Sequence, residues 1–156
     1  MAFHWEVSSF DALSNNSLYQ AMRLRQAVFV VEQDCIYPDL DGLDQESTHV
    51  LCWRGEELLA YQRCLPPGLS YSESSLGRVV VSPAGRGHKL GRELVQRGID
   101  INIKQWPQSN IKIGAQAYLR SFYQSLGFVA LGEEYIEDGI THIHMLRQTV
   151  TDQEET

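Results

Sequence analysis

The chain has 156 residues, with 13 lysines and arginines against 20 aspartates and glutamates, a formal net charge of −7. That length fits one domain, residues 1–156, able to bury roughly 70% of its unfolded surface. The acidic balance argues against nonspecific nucleic-acid binding and leans toward a cationic partner.

No apolar run approaches the ~20 residues that span a bilayer. The opening MAFHWEVSSF has neither the basic leader nor the apolar core of a signal peptide. Cys35, Cys52 and Cys64 form no CxxC and leave one thiol over in any disulfide scheme. Buried thiols in a reducing cytosol fit that pattern, so a cytoplasmic protein with no membrane partner is expected.

In chain order, Phe3 to Val7 alternates as a short edge strand. Capping residues at Ser14 to Ser17 precede a predicted helix from Leu18 to about Val31, whose apolar positions recur at threes and fours. Gln33 to Ser47 carries turn chemistry at Pro38-Asp39 and Asp41-Gly42 and reads as an ordered loop. Thr48–Trp53 and Leu58–Leu65 make a predicted hairpin around Arg54-Gly55-Glu56-Glu57.

After a loop to Ser75, the strand Leu76–Val81 runs into Ser82-Pro83 and a glycine-containing turn. A helix from about Lys89 to Gln105 follows, with Gly98 implying close approach to a sheet. Ile111–Ala115 reads as a strand, and Tyr118–Leu126 as a short helix ending at Gly127. Two strands, Phe128–Tyr135 and His142–Arg147, turn at Glu137-Asp138-Gly139. The tail from about 149 to 156 reads as frayed. The order is that of a mixed α/β domain.

The segment VVVSPAGRGHKLGREL, Val79 to Leu94, carries the most information. A strand passing through glycines into a helix N-terminus presents unpaired backbone N–H groups and the positive end of a dipole, a place for phosphate. It lacks GxxxxGK[ST], and its glycine spacing misses the dinucleotide fingerprint. It resembles the signature V-x-P-x-x-[RQ]-x-x-G-x-[GA] of the GNAT superfamily of acetyl-coenzyme A-dependent N-acetyltransferases, matched by Val81, Pro83, Arg86 and Gly91. Lys89 stands where the signature has its middle glycine. FYQSLGF, Phe122 to Phe128, resembles the second motif of the superfamily. RQAVFVVEQDCIYPDLDGLD, Arg25 to Asp44, with GAQAYLRSFYQSLGF and EDGITHIHM, is similar to the ElaA-like branch.

The resemblance implies the GNAT acyl-CoA N-acyltransferase fold, a central twisted mixed sheet flanked by helices. It implies coenzyme A lying in a V between Leu76–Val81 and Ile111–Ala115. Backbone groups of Val79, Val80 and Val81 would pair with pantetheine amides. Arg86, Gly87, His88, Lys89, Leu90, Gly91 and Arg92 would hold the pyrophosphate, the Lys89 ammonium pairing with it. The function implied is transfer of an acetyl group from acetyl-CoA to a primary amine of a small molecule, peptide or protein. Homodimers through exposed strand edges are common in the superfamily.

Acyl transfer needs a base for the amine, a donor for the oxyanion and an acid for the leaving thiolate. The N–H of Val79 or Val80 suits the oxyanion, a contribution of about 3 kcal/mol. Tyr123 occupies the position of the superfamily's tyrosine near the sulfur, although Leu119, Phe122, Tyr123 and Leu126 also share a helical core spacing. Candidates for the base are Glu32, His49, His142 and His144. His142 and His144 face one side of a strand; with no third ligand suggested, a metal role is set aside.

Asp34, Asp39, Asp41, Asp44 and Glu46 make an acidic loop whose glycine does not fit a calcium loop. Asx turns explain most such clusters, and recognition of an ammonium-bearing acceptor is the functional expectation. No activating partner marks a cysteine, so direct attack in a ternary complex is expected over a covalent enzyme intermediate. A CoA-binding sensor or an interaction module without transferase activity is the alternative.

Overall fold

A computed structural model describes residues 2–150. Strand β1 (His4–Ser9) leads to helix α1 (Asn15–Arg25), which Ser14 caps by accepting the Ser17 N–H at 3.0 Å. The helix does not continue in α form to Val31 as its spacing predicts. From Gln26 to Glu32 it widens into a π-helix, closed by i→i−5 bonds from Gln33 N–H to the Val28 carbonyl and from Cys35 N–H to the Val30 carbonyl. The run Val28-Phe29-Val30-Val31 crowds an α-helical turn, and apolar spacing does not separate i+4 from i+5.

Strands β2 (Thr48–Arg54), β3 (Glu57–Leu65) and β4 (Ser75–Val81) follow, then α2 (Leu90–Gln105), β5 (Ile111–Gln116), α3 (Arg120–Gln124), β6 (Val129–Glu137) and β7 (Ile140–Arg147). They form two antiparallel sheets, ordered β1-β2-β3-β4 and β5-β7-β6. A single parallel bridge, Ser74 to Ile111, with Lys112 N–H donating to the Ser74 carbonyl at 2.9 Å, joins β4 to β5 at their starts. Beyond it the strands part, so each strand's far end borders an open V.

Alternation decides which helix covers which face. Val50, Cys52, Leu59 and Cys64 turn to α2 and to the buried faces of β5 and β7, while Leu51, Trp53, Leu58 and Tyr61 turn to α1. Gly98 is where α2 comes closest. A Cβ there would lie 2.6 Å from the amide of Gln62, which donates to the Leu94 carbonyl.

The β6–β7 turn is Asp138-Gly139, both at positive φ, the pairing a two-residue hairpin turn requires. After β7, Asn110 Oδ1 accepts the N–H groups of Thr149 and Val150 at 2.9 and 3.0 Å. Residues 151–156 of the expected tail lie outside the described residues.

Candidate active site

The V opens into a cleft of about 830 Å³. One arm is formed by Val79, Val80, Val81, Arg86 and Gly91, with the Tyr37 ring against Arg78 of β4, and the other by Glu137, Asp138 and His142 of the β6–β7 hairpin. Tyr71 and Tyr123 also line the cleft. On β4 a bulge sets Arg78 and Val79 together against Gln62, and Arg78 takes φ +52°. Bulges re-aim strand groups beside sites. Here the bulge falls where the β4 edge leaves β5.

The phosphate-loop expectation divides in two at the level of side chains. Gly85 is fixed by close approach, since a Cβ there would sit 3.1 Å from the Leu59 carbonyl oxygen. Gly87 and Lys89 both take left-handed φ, +87° and +57°. The signature's middle glycine thus marks a backbone conformation, which lysine adopts here at a cost of about 1–2 kcal/mol. The helical ladder begins with Glu93 N–H to the Lys89 carbonyl at 3.4 Å, so the donors from Leu90 to Arg92 lie ahead of it. These donors, the exposed Lys89 and the cleft fit an anionic pyrophosphate.

Three side chains of that set lie elsewhere. Leu90 is buried in the core. Arg92 donates to Ser125 Oγ at 2.7 Å, and the His88 ring stands against Phe3. Arg86 is bidentate to Glu32, with both bonds 2.8 Å long. The Arg86 hydrogen bonds hold the Glu32 carboxylate below the ordinary carboxylate range, which weakens it as a base.

Tyr123 packs edge-to-face on Phe122 and Phe128, at 5.1 and 5.7 Å, and burial pushes its phenol far above the ordinary value. It is at once core and cleft wall. His142 lies opposite Gln116 on β5 and Tyr135 on β6. Its Nδ1–H donates to the Ile140 carbonyl at 2.8 Å. A carbonyl can only accept, so in the neutral ring Nε2 carries the lone pair.

His144 shares that face and stacks on Tyr135 at 4.5 Å. Burial, with Lys112 next in weight, lowers its pKa. His49 is no base for this cleft. It is fully buried, donating from Nε2 to the Asp44 carbonyl at 2.8 Å and accepting the Tyr61 hydroxyl at Nδ1, 2.7 Å away.

The acidic loop does not wait for an ammonium. Asp39 accepts Arg25 Nε at 2.9 Å and pairs with Arg78 at 2.8 Å. Asp44 takes Arg25 at 2.8 Å and Arg63 at 2.9 Å. Asp41 takes Arg63 at 2.6 Å and Arg78 at 3.3 Å. Three aspartates are thereby spent on three arginines, an internal neutral network. Its sequence signal was available: Arg63 interrupts the apolar strand LLAYQRCL, where an unpaired cation would be costly. Tyr71 and Tyr135 carry no motif in the sequence, yet their hydroxyls meet beside Gly114 at the cleft.

Burial pushes the Cys52 thiol up to about 11 and the Cys64 thiol to about 12, so neither supplies a thiolate. Cys35 lines the cleft and donates to the Asp138 carbonyl at 3.2 Å. No helix among the described residues is long and apolar enough to cross a membrane.

A splayed sheet, a strand–loop–helix anion cradle and a cleft across both describe an acyl-CoA-dependent N-acyltransferase. The model of the acetyltransferase (GNAT) domain matches residues 11–148, and the chain belongs to that family. It is 43% identical over 148 residues to Protein ElaA of Escherichia coli (strain K12), covering 94% of this chain and 97% of that protein. The crystal structure of Escherichia coli ElaA superposes with a TM-score of 0.88 at 42% identity, over 94% of this chain and all (100%) of the other. An acyl-CoA N-acyltransferase from Pseudomonas aeruginosa superposes with a TM-score of 0.90 at 40% identity, again over 94% and 100%. The resemblance seen in the motifs is therefore one of family and fold, and the family's cosubstrate is an acyl-CoA.

Proposed function

We propose that the chain transfers an acetyl group from acetyl-CoA to a primary amine by direct attack within a ternary complex. The observation that carries this reading is that one cleft has the bulged β4 edge, Tyr123 and His142 on its wall. When bound, acetyl-CoA supplies the reactive thioester. His142 Nε2, its lone pair fixed by the Nδ1–H bond to Ile140, takes the proton from the amine as nitrogen bonds to the acyl carbon.

A backbone N–H of Val79 or Val80 donates to the carbonyl oxygen as its charge grows. Tyr123 gives its proton to the sulfur as the carbon–sulfur bond breaks. That transfer runs uphill from a buried phenol, and the same apolar wall raises the thiol's own pKa. Asp34, Glu46 and the network aspartates take no part in chemistry.

A reducing, cytoplasmic setting is consistent with the free Cys35, Cys52 and Cys64. A homodimer would use β6, an edge strand with Val129 66% and Ile136 67% exposed, and sedimentation tests it.

The decisive experiment is free-thiol release from acetyl-CoA against a panel of amines, with the acceptor-free rate subtracted. Acceptor-dependent release is expected, and His142→Gln should lower kcat by about 10²–10⁴-fold. The KM for acetyl-CoA should stay unchanged. Calorimetric binding of acetyl-CoA without release from any amine would refute transfer and leave the sensor reading.

A further inference from the structure

The acceptor arm holds a group of side chains that the transfer chemistry does not use. On β5, Gly114 presents bare backbone to the cleft, and the hydroxyls of Tyr71 and Tyr135 meet above it. A Cβ at Gly114 would lie 2.7 Å from the Tyr135 oxygen and 3.1 Å from the Tyr71 oxygen. Neither hydroxyl has a side-chain or backbone hydrogen-bond partner among the described residues. Burial raises both phenols, Tyr135 to about 12, so both stay protonated and each keeps an oxygen lone pair for an incoming donor. Glu137 stands two residues beyond Tyr135 on β6, on the same face of the strand, and lines the cleft with Tyr71.

Charge bookkeeping along the wall gives the sign of the ligand. Arg63 and Arg78 are matched by Asp39, Asp41 and Asp44, and Arg86 by Glu32. Glu137 and Asp138 line the cleft without an ion-pair partner among the described residues. Lys112 adjoins the group with its Nζ over the Tyr71 ring, 5.0 Å from the centroid, and the two carboxylates of Glu137 and Asp138 still outnumber it. The rings of His142 and His144 stack against Tyr135. Two phenol oxygens and one carboxylate offer three acceptors, the number that an –NH₃⁺ group presents as donors. The reacting amine must be neutral to attack, so this cation is a different nitrogen from the one acetylated.

We propose that the Tyr71 and Tyr135 hydroxyls above Gly114, with the Glu137 carboxylate two residues further along β6, form a subsite for a second ammonium group, so that the acceptor is a small molecule of the diamine class. The proposal rests on the transferase reading for which nitrogen reacts. The subsite itself is a matter of binding.

The test is calorimetric titration of the CoA-loaded full chain with straight-chain diamines from 1,3-diaminopropane to 1,6-diaminohexane. Each is compared with the monoamine and the ω-amino acid of equal length. At least one diamine should bind about tenfold more tightly than its partners. That preference should fall to near one in Glu137→Gln, in the Tyr71→Phe/Tyr135→Phe double variant and in Gly114→Ala, all with CoA affinity unchanged.

No diamine preference in the unaltered chain, a preference for the carboxylate-bearing amines, or a preference that survives Glu137→Gln and the double tyrosine variant would overturn the proposal. Thiol release measured in parallel separates the two ideas. Selective diamine binding with no release refutes transfer and keeps the subsite. Release from monoamine and diamine at equal KM refutes the subsite and keeps transfer.

Discussion

Lys89 shows how one residue can serve a backbone and a ligand at odds with each other. Its φ of +57° is a conformation that glycine adopts freely and lysine does not. Lys89→Gly should therefore relieve strain, offset in part by the greater freedom of glycine in the unfolded chain. The expected net is a gain of about 0.5–1 kcal/mol in urea unfolding. If the ammonium pairs with the pyrophosphate, the same change raises the KM for acetyl-CoA severalfold. More stability at an unchanged KM would remove Lys89 from the cofactor site and leave the backbone donors of Leu90 to Arg92 to hold the phosphates. The signature glycine was legible as a motif, but its physical content, a left-handed φ, became visible only in the fold.

At the scale of elements, the close approach of α2 to β3 makes the opposite prediction for a glycine. Exposed glycines inside helices cost about 1 kcal/mol against alanine. At Gly98 an added methyl would sit 2.6 Å from the Gln62 amide, and Gln62 is fully buried and tied to the Leu94 carbonyl. Gly98→Ala should lose about 1–3 kcal/mol to overpacking, outweighing the propensity gain, and thermal unfolding reads the sign.

This contact was anticipated from the sequence because a glycine in an otherwise apolar helix face has few other reasons. The strands were readable for a similar reason: alternation and turn residues at Gly55 and Asp138-Gly139 specify them locally. What was not readable was the π-helical stretch Gln26–Glu32, since a pattern of threes and fours does not resolve a five-residue step. Nor was the Tyr71–Tyr135–Gly114 convergence, which joins a loop to two strands far apart in sequence. The family motifs marked the β4 arm of the cleft. The motif EDGITHIHM marks the β6–β7 hairpin, but that Tyr71 and Tyr135 meet beside Gly114 comes from tertiary placement alone.

Across the whole molecule, the network of Arg25, Arg63 and Arg78 with Asp39, Asp41 and Asp44 pins the loop of residues 33–47 to β3 and β4, and so sets one wall of the cleft. Arg25 is fully buried and Arg63 nearly so. Removing one aspartate leaves three arginines to two carboxylates, one buried positive charge in excess, where breaking a buried pair costs about 3–5 kcal/mol. Asp44→Asn should cost that much in denaturant unfolding, because Asp44 serves both Arg25 and Arg63.

The pH dependence has a definite sign. Although burial alone would raise the carboxyls of Asp41 and Asp44, their arginine partners hold both below the ordinary carboxylate range. Their stabilisation is complete above the unfolded value of ~3.9 and is lost as the pH falls toward and through the depressed folded values. His49 acts at higher pH in the same direction. Burial lowers its folded pKa, so below the unfolded value of ~6.5 the unfolded chain takes up a proton that the folded chain resists.

Stability should thus decline in two stages on acidification, first below ~6.5 from His49 and then below ~3.9 from the network. Urea midpoints measured across that range should show both, with His49→Gln weakening the upper stage, to which the lowered pKa of His144 adds in the same direction, and Asp44→Asn weakening the lower. A profile flat from neutral pH to pH ~4 in the unaltered chain would mean that the His49 ring takes its proton as readily in the fold as out of it. The Asp44 carbonyl and the Tyr61 hydroxyl would then be accommodating an imidazolium, and the junction of β2 and β3 with the loop of residues 33–47 would be softer than its burial implies.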